Sequence, residues 1–322
     1  MTQYIIILLD DTSVSFCHYA NGLQKRNLIP LETLKKGIMY AMKENLNIQF
    51  VYPRHPMPQD YLEAIDSIDH TDIKPASLHE QADVVVLDGV EQTRDYPFTP
   101  NAAYVLRTGR EELFAHTADI CALLDKASRL NIVITDIEHF TEDDFERYKD
   151  TLRTLSEKVE NVYLSGKSVQ LNLLTDRMML DKMNNCGAGD TCITLAPDGC
   201  FYVCPAFYLT KEEDGMGSLK TTIGDLQHGL SIKNPQLYKL DHAPICRHCD
   251  AYQCNRCIWL NRKTTLEVNT PSHEQCVVAH LERNASRALL DSIRRHGEFL
   301  PERASIKETT YLDPFDMRKE WK

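Results

Sequence analysis

The sequence predicts an α/β fold with a mainly parallel sheet, open or partly closed into a (β/α) barrel, followed by a small cysteine-rich domain. Three observations carry that prediction. Short apolar runs alternate with amphipathic helical stretches through the first half of the chain. The helical periodicity fades after about Leu180. Nine of the eleven cysteines then fall between Cys186 and Cys276.

In chain order, Tyr4–Leu9 is isoleucine-rich, as a strand buried on both faces would be. Pro30 opens a helix with apolar positions at Leu34, Ile38 and Met42. Ile48–Tyr52, Asp83–Leu87 and Tyr104–Leu106 follow as strands, with a helix over Leu113–Leu124 and a strand at Ile132–Ile134. Thr141 and Asp144 resemble a capping box, with aspartate in place of the usual glutamate. Phe145, Tyr148, Leu152, Leu155 and Val159 then repeat at helical spacing. Val162–Leu164 and Val169–Leu173 read as two more strands. A boundary falls near Asn184, so residues 1–183 form the α/β domain and 184–297 the cysteine-rich one. Ser272 and Gln275 signal a closing helix through Leu281, Leu289 and Ile293, stopped by Gly297. The charged stretch 298–322 reads as a surface tail.

A chain of 322 residues with 43% hydrophobic composition can bury a sizeable core. Its net charge of -11 argues against nucleic acid or anionic lipid as the main partner. Tyr4–Leu9 is too short to span a membrane and lacks the basic flank of a signal peptide. No membrane partner and a cytoplasmic location are therefore expected. In a reducing compartment, clustered cysteines point to metal or redox chemistry before disulfides.

The first cysteine group reads CGAGDTCITLAPDGCFYVCP. Pro197-Asp198-Gly199 is a turn signal between β-prone residues, so a hairpin over Ile193–Val203 would return Cys204 beside Cys192. The second group, CRHCDAYQCNRC, supplies Cys246, Cys249, Cys254 and Cys257, and Cys276 follows. Four-thiolate sites suit zinc or an iron–sulfur cluster, and spacing alone leaves both open.

This arrangement resembles the SPASM domain, which carries auxiliary clusters in many radical S-adenosylmethionine enzymes that modify peptides. The family pattern begins Cys-x9–15-Gly-x4-Cys, matched by Cys186, Gly199 and Cys204. It continues Cys-x2-Cys-x5-Cys-x3-Cys. Cys246 and Cys249 match, while the gaps before Cys254 and Cys257 are each one residue short. Ile223-Gly224-Asp225 resembles the family's Ile-Gly-Asn-like segment. The resemblance implies two [4Fe-4S] clusters, the first held by Cys186, Cys192, Cys204 and Cys257, the second by Cys246, Cys249, Cys254 and Cys276. Cys200 is left over as a hairpin side chain.

Radical S-adenosylmethionine enzymes also carry a Cys-x3-Cys-x2-Cys loop after the first strand. Here LDDTSVSFCHYAN stands in that place, and the spacing laid on Cys17 meets Asp10 and Val14. Where the family shows Gly-Gly-Glu-Pro after the second strand, this chain has Val51-Tyr52-Pro53. The first half thus resembles a degenerate radical S-adenosylmethionine barrel, and that cofactor is not expected; the alternative is an unrelated α/β domain. His273-Glu274 is not a metalloprotease motif, because Val277 stands where the second histidine belongs. His18 and His242 read as surface residues or as neighbours of a site, Cys121 as a helical core residue, and Asp136 as a strand-end residue that could line a cleft.

Across most of its length the chain resembles the CXXX repeat peptide maturase family. The likeness is carried by LLDDTSVSFCHY, LNLLTDRMMLDKMNNC, CDAYQCNRCIWLNRKTTLEVNTPSHEQC and the DPFD at residues 313–316. It implies maturation of a ribosomally made cysteine-repeat precursor peptide as partner. Either this chain is an enzyme subunit drawing electrons from its clusters, or it is a non-catalytic module that positions the peptide for a separate radical enzyme.

Overall fold

The computed structural model describes residues 2–23, 25–78, 80–183, 186–210, 221–303 and 305–309. The DPFD motif and residues 184–185, at the expected boundary, lie outside them. In chain order the strands are β1 (Tyr4–Leu8), β2 (Asn47–Val51), β3 (Thr71–Pro75), β4 (Val84–Asp88), β5 (Ala103–Thr108), β6 (Arg129–Ile134), β7 (Gln170–Leu171), β8 (Cys192–Leu195), β9 (Phe201–Tyr202), β10 (Gly224–Asp225) and β11 (Gly229–Leu230). The helices are α1 (Leu31–Lys43), α2 (Gln59–Ile65), α3 (Arg110–Ala115), α4 (Thr117–Leu123), α5 (Glu142–Leu164), α6 (Asp176–Met179), α7 (Ala206–Leu209), α8 (Ile258–Thr265) and α9 (His273–Arg294). Among the described residues no helix is long and apolar enough to cross a membrane.

The chain forms two compact units. The first comprises Met1–Val86, Cys186–Ala243 and Ile258–Asn269. Its strands run β4-β3-β2-β1-β8-β9, all parallel except the final β8–β9 hairpin. β1 is central and buried on both faces, which is why its sequence shows no polar alternation. α1 packs across β1 and β2 with Leu34, Ile38 and Ala41 inward. Met42 faces solvent instead of the core, because the helix's inward stripe passes through Ala41. Gly37 lets the helix approach closely, since a Cβ there would strike the Leu195 side chain.

The second unit comprises Leu87–Asn185, Pro244–Cys257 and Thr270–Lys322. β5, β6 and β7 pair in parallel. The single predicted helix over Leu113–Leu124 is two, α3 and α4, meeting at His116. α5 begins with the expected capping box: the Thr141 hydroxyl accepts from the Asp144 amide, and the Asp144 carboxylate accepts from the Thr141 amide at 2.9 Å. Such a cap contributes about 1 kcal/mol. Its five predicted apolar positions are all buried, and it packs along α9. Val162–Leu164 is the last turn of α5, not a strand. Val162 lies three residues after Val159 and continues the buried stripe. β7 is shorter than the predicted Val169–Leu173, since the chain turns at Leu171, whose carbonyl receives the Leu174 and Thr175 amides.

Candidate functional site

The loop after β1 in the first unit closes on its own polar groups. Asp10 is fully buried, and its Oδ1 accepts from the Thr12 amide at 2.8 Å and the Thr12 hydroxyl at 2.6 Å. His55 Nε2 lies 3.6 Å from the same oxygen. The Asp10 amide donates to Ser13 Oγ, which in turn donates to the Val51 carbonyl at 2.8 Å. Val14 is buried and its amide donates to the Tyr52 carbonyl at 2.9 Å. Tyr208 donates its hydroxyl to Asp11 Oδ1 at 2.6 Å, and burial first, with that bond second, pushes the Tyr208 pKa up. The loop is therefore stitched to the end of β2, and Asp10 and Val14, two positions spaced for cluster ligands, serve backbone and core. Such a pair does not fit a cluster that binds S-adenosylmethionine. Cys17 and His18 are half-buried and His242 is exposed.

Also in the first unit, Cys186 and Cys192 are drawn together by a tight turn. The Thr191 and Cys192 amides both donate to the Gly187 carbonyl at 2.8 Å. Gly187 has φ +66°, and a Cβ there would strike Thr191 Oγ1, so only glycine fits. Cys192 is buried, and desolvation, reinforced by Cys186, pushes its thiol up to about 12. The hairpin has the expected turn, with Gly199 at φ +81°. Its register pairs Thr194 with Tyr202 and Leu195 with Phe201, and the chain bends at Cys204 directly after the paired residues. The Cys200 backbone forms an isolated bridge with Asp225 of β10. At Gly224 a side chain would strike the Gly229 carbonyl, which accounts for glycine in the Ile223-Gly224-Asp225 segment.

In the second unit, Cys246, Cys249, Cys254 and Cys276 line one cavity of about 510 Å³, together with His280 and Arg256. Local geometry presents the thiols. Cys246–His248 is a single helical turn, closed by the Cys249 amide on the Cys246 carbonyl. The Ala251 amide donates to Cys249 Sγ and the Arg256 amide to Cys254 Sγ, each at 3.4 Å. Arg256 adopts φ +46°, a left-handed conformation. Cys276 sits in the first turn of α9, capped by Ser272, where the helix dipole favours a thiolate. Burial pushes the Cys246 thiol up to about 11, opposed by the nearby Arg256 guanidinium, and burial raises Cys254 further. Cys257 is half-buried at the end of this loop.

The residues between the thiols anchor the loop. Asp250, 1% exposed, accepts from Arg283 at 3.0 Å and from the Thr309 amide at 3.2 Å, with Arg177 at 3.7 Å and Arg287 at 3.8 Å. Glu308 joins the same network through Arg287 at 2.6 Å. Gln253 donates to the Ala279 carbonyl at 2.7 Å and to Glu282 at 3.3 Å, and Glu282 accepts from Tyr148 at 2.7 Å. His280, 4% exposed, places Nε2 3.4 Å from Cys249 Sγ. The cysteine spacing did not point to Asp250, Gln253 or Glu282. His280 had a readable signal, since it lies one helical turn after Cys276.

Among the described residues no three His, Cys, Asp or Glu side chains converge tightly enough to grip a single ion, and no disulfide joins the cysteines. Cys121 is half-buried rather than in the core, its Sγ 4.0 Å from the Thr154 carbonyl. Asp136 accepts from the Arg110 amide at 2.8 Å and from its guanidinium at 2.6 Å, tying the end of β6 to the start of α3.

No protein-family model matches the chain, and no curated protein matches its sequence. Solved structures do match its fold. The chain is similar to histidine-tagged anSMEcpe with bound AdoMet (TM-score 0.60, 12% identity, covering 93% of this chain and 97% of that one). It is equally similar to native anSMEcpe with bound AdoMet and Cp18Cys peptide (TM-score 0.60, 12% identity, covering 92% and 100%). At that identity the likeness is one of fold.

Proposed function

We propose that this chain takes part in the maturation of a ribosomally made cysteine-repeat peptide, of the CXXX type, as a SPASM-like cluster protein on a degenerate radical S-adenosylmethionine scaffold. The observation that carries the reading is the single cavity lined by Cys246, Cys249, Cys254 and Cys276. The fold of anSMEcpe, a protein solved with AdoMet and with a peptide, supports it. The donor set is all thiol, and two of the thiols already receive backbone N–H bonds, as cluster sulfurs do. The volume of about 510 Å³ suits a group larger than one zinc ion. When bound there, an iron–sulfur cluster would supply one-electron transfer. The chain's own residues fix the loop that carries the thiols through Asp250 and Gln253. Cys186, Cys192 and Cys204 are the thiolates that the first unit offers to another cluster, and we assign residues 184–297 as the cluster-bearing region of the chain.

The loop after β1 favours an accessory role beside a separate radical enzyme, because its ligand positions are Asp10 and Val14. Two measurements test the proposal. Anaerobic purification with iron and sulfide analysis should find about eight iron atoms per chain, as two four-iron clusters require; zinc without sulfide would sink the cluster assignment. Isothermal titration with the cysteine-repeat precursor, with and without the radical enzyme, should show binding. Given a strong reductant and S-adenosylmethionine, the isolated chain should form no 5′-deoxyadenosine.

A further inference from the structure

Resting on the reading of Cys246, Cys249, Cys254 and Cys276 as cluster thiolates, we propose that His280 is a positioning residue of that cluster site, donating its Nε2–H to the Cys249 thiolate and thereby setting the cluster's reduction potential. Three observations converge on it. His280 is 4% exposed and lines the same cavity as the four cysteines. It follows Cys276 by four residues on α9, so both side chains lie on one helical face. Its Nε2 stands 3.4 Å from Cys249 Sγ, hydrogen-bond distance for a large acceptor such as sulfur.

The chemistry fixes the direction of the bond. A thiolate has no proton to give, so the imidazole nitrogen facing it must carry one. A set of four thiolates already completes a four-iron site, which leaves the imidazole no metal position to fill. Cys249 receives the Ala251 amide as well, also at 3.4 Å. It therefore accepts two N–H groups, whereas Cys254 accepts one from Arg256. Hydrogen bonds to cluster sulfurs draw negative charge from the iron and make reduction easier. The two donors on Cys249 both favour the reduced cluster.

The test uses the full chain, purified anaerobically with its clusters. Iron content, thermal melting and the midpoint potential of each cluster, followed by electron paramagnetic resonance, are compared for wild type, His280→Ala and His280→Gln. His280→Ala should keep its iron and move one midpoint to more negative potential. His280→Gln, which retains an N–H donor, should recover part of the shift. In the wild type, an exchangeable proton coupled to that cluster should be visible by electron–nuclear double resonance and vanish in deuterium oxide, a readout independent of either variant's folding. An unchanged potential in cluster-loaded His280→Ala, or no coupled exchangeable proton, would overturn the proposal. Iron lost from a folded His280→Ala would also overturn it, making the imidazole a ligand. A wild-type chain without sulfide would instead remove the cluster reading on which this one stands.

Discussion

The loop after β1 and the loop from Pro244 to Cys257 solve opposite problems with similar means. In the first, the positions spaced for ligands are consumed in closing the loop: Asp10 takes the Thr12 amide and hydroxyl, and Val14 is buried. In the second, closure is delegated to the residues between the thiols. Asp250 and Gln253 reach outward to arginines, to Tyr148's partner Glu282 and to α9, and the four sulfurs are left facing a cavity. A loop can present soft ligands only if something else satisfies its backbone and holds its shape. In the loop after β1, the positions that the spacing offers for ligands serve that purpose instead.

The sharpest way to break this comparison is iron content. Cys254→Ala should lose about four iron atoms per chain, while Asp10→Asn should lose none; equal loss in both would erase the distinction between the loops. Next in size is the anchor. Asp250→Ala leaves Arg177, Arg283 and Arg287 without their shared carboxylate, and removing one partner of a buried pair costs about 3–5 kcal/mol. Chemical denaturation should show it as a lower midpoint, with cluster loss at milder denaturant than in the wild type.

A smaller effect concerns Glu282. Burial lifts its carboxyl from 4.5 to about 7, partly opposed by its bonds from Tyr148 and Gln253. The folded chain then holds a proton that the unfolded chain releases, so stability falls as pH rises from about 4.5 to about 7 and is level above that. The span corresponds to roughly 3 kcal/mol at most. Glu282→Gln should flatten that part of the stability–pH curve, and an unchanged slope would mean that another group titrates there. The smallest expected effect is none at all: Cys200→Ala should keep full iron, because only Cys204 has the cluster pattern's spacing after Gly199, while Cys204→Ala should lose it.

Much of this was readable in advance where a local rule and the tertiary structure agree. The apolar run at β1, the Thr141 capping box and the Pro197-Asp198-Gly199 turn each rest on neighbours within a few residues. β3 was missed because TDIKP carries two charged side chains around its buried Ile73 and Pro75. α2 was missed because seven residues are too few to show a period. Val162–Leu164 misled because a β-prone triplet also fits the last turn of a long helix. In the site, cysteine spacing marked the thiols, but Asp250 and Gln253 depend on partners up to 73 residues away, which no local pattern announces. His280 belongs to no His-Glu-x-x-His pattern, and only its spacing of four from Cys276 marks it.

The segment ending at Thr309 has a consequence in time as well as space. Its amide and Glu308 close over Asp250, the Thr309 hydroxyl takes the His248 carbonyl, and Tyr252 takes the carbonyl of Lys307. A ribosome makes Asp250 59 residues before Thr309. Cys276, the last of the four sulfurs, is made 33 residues before Thr309, and for that shorter interval all four exist without their latch, open to the machinery that would load the proposed cluster. Assembly can therefore precede closure within a single round of synthesis, and a finished, closed chain should be harder to load than a nascent one.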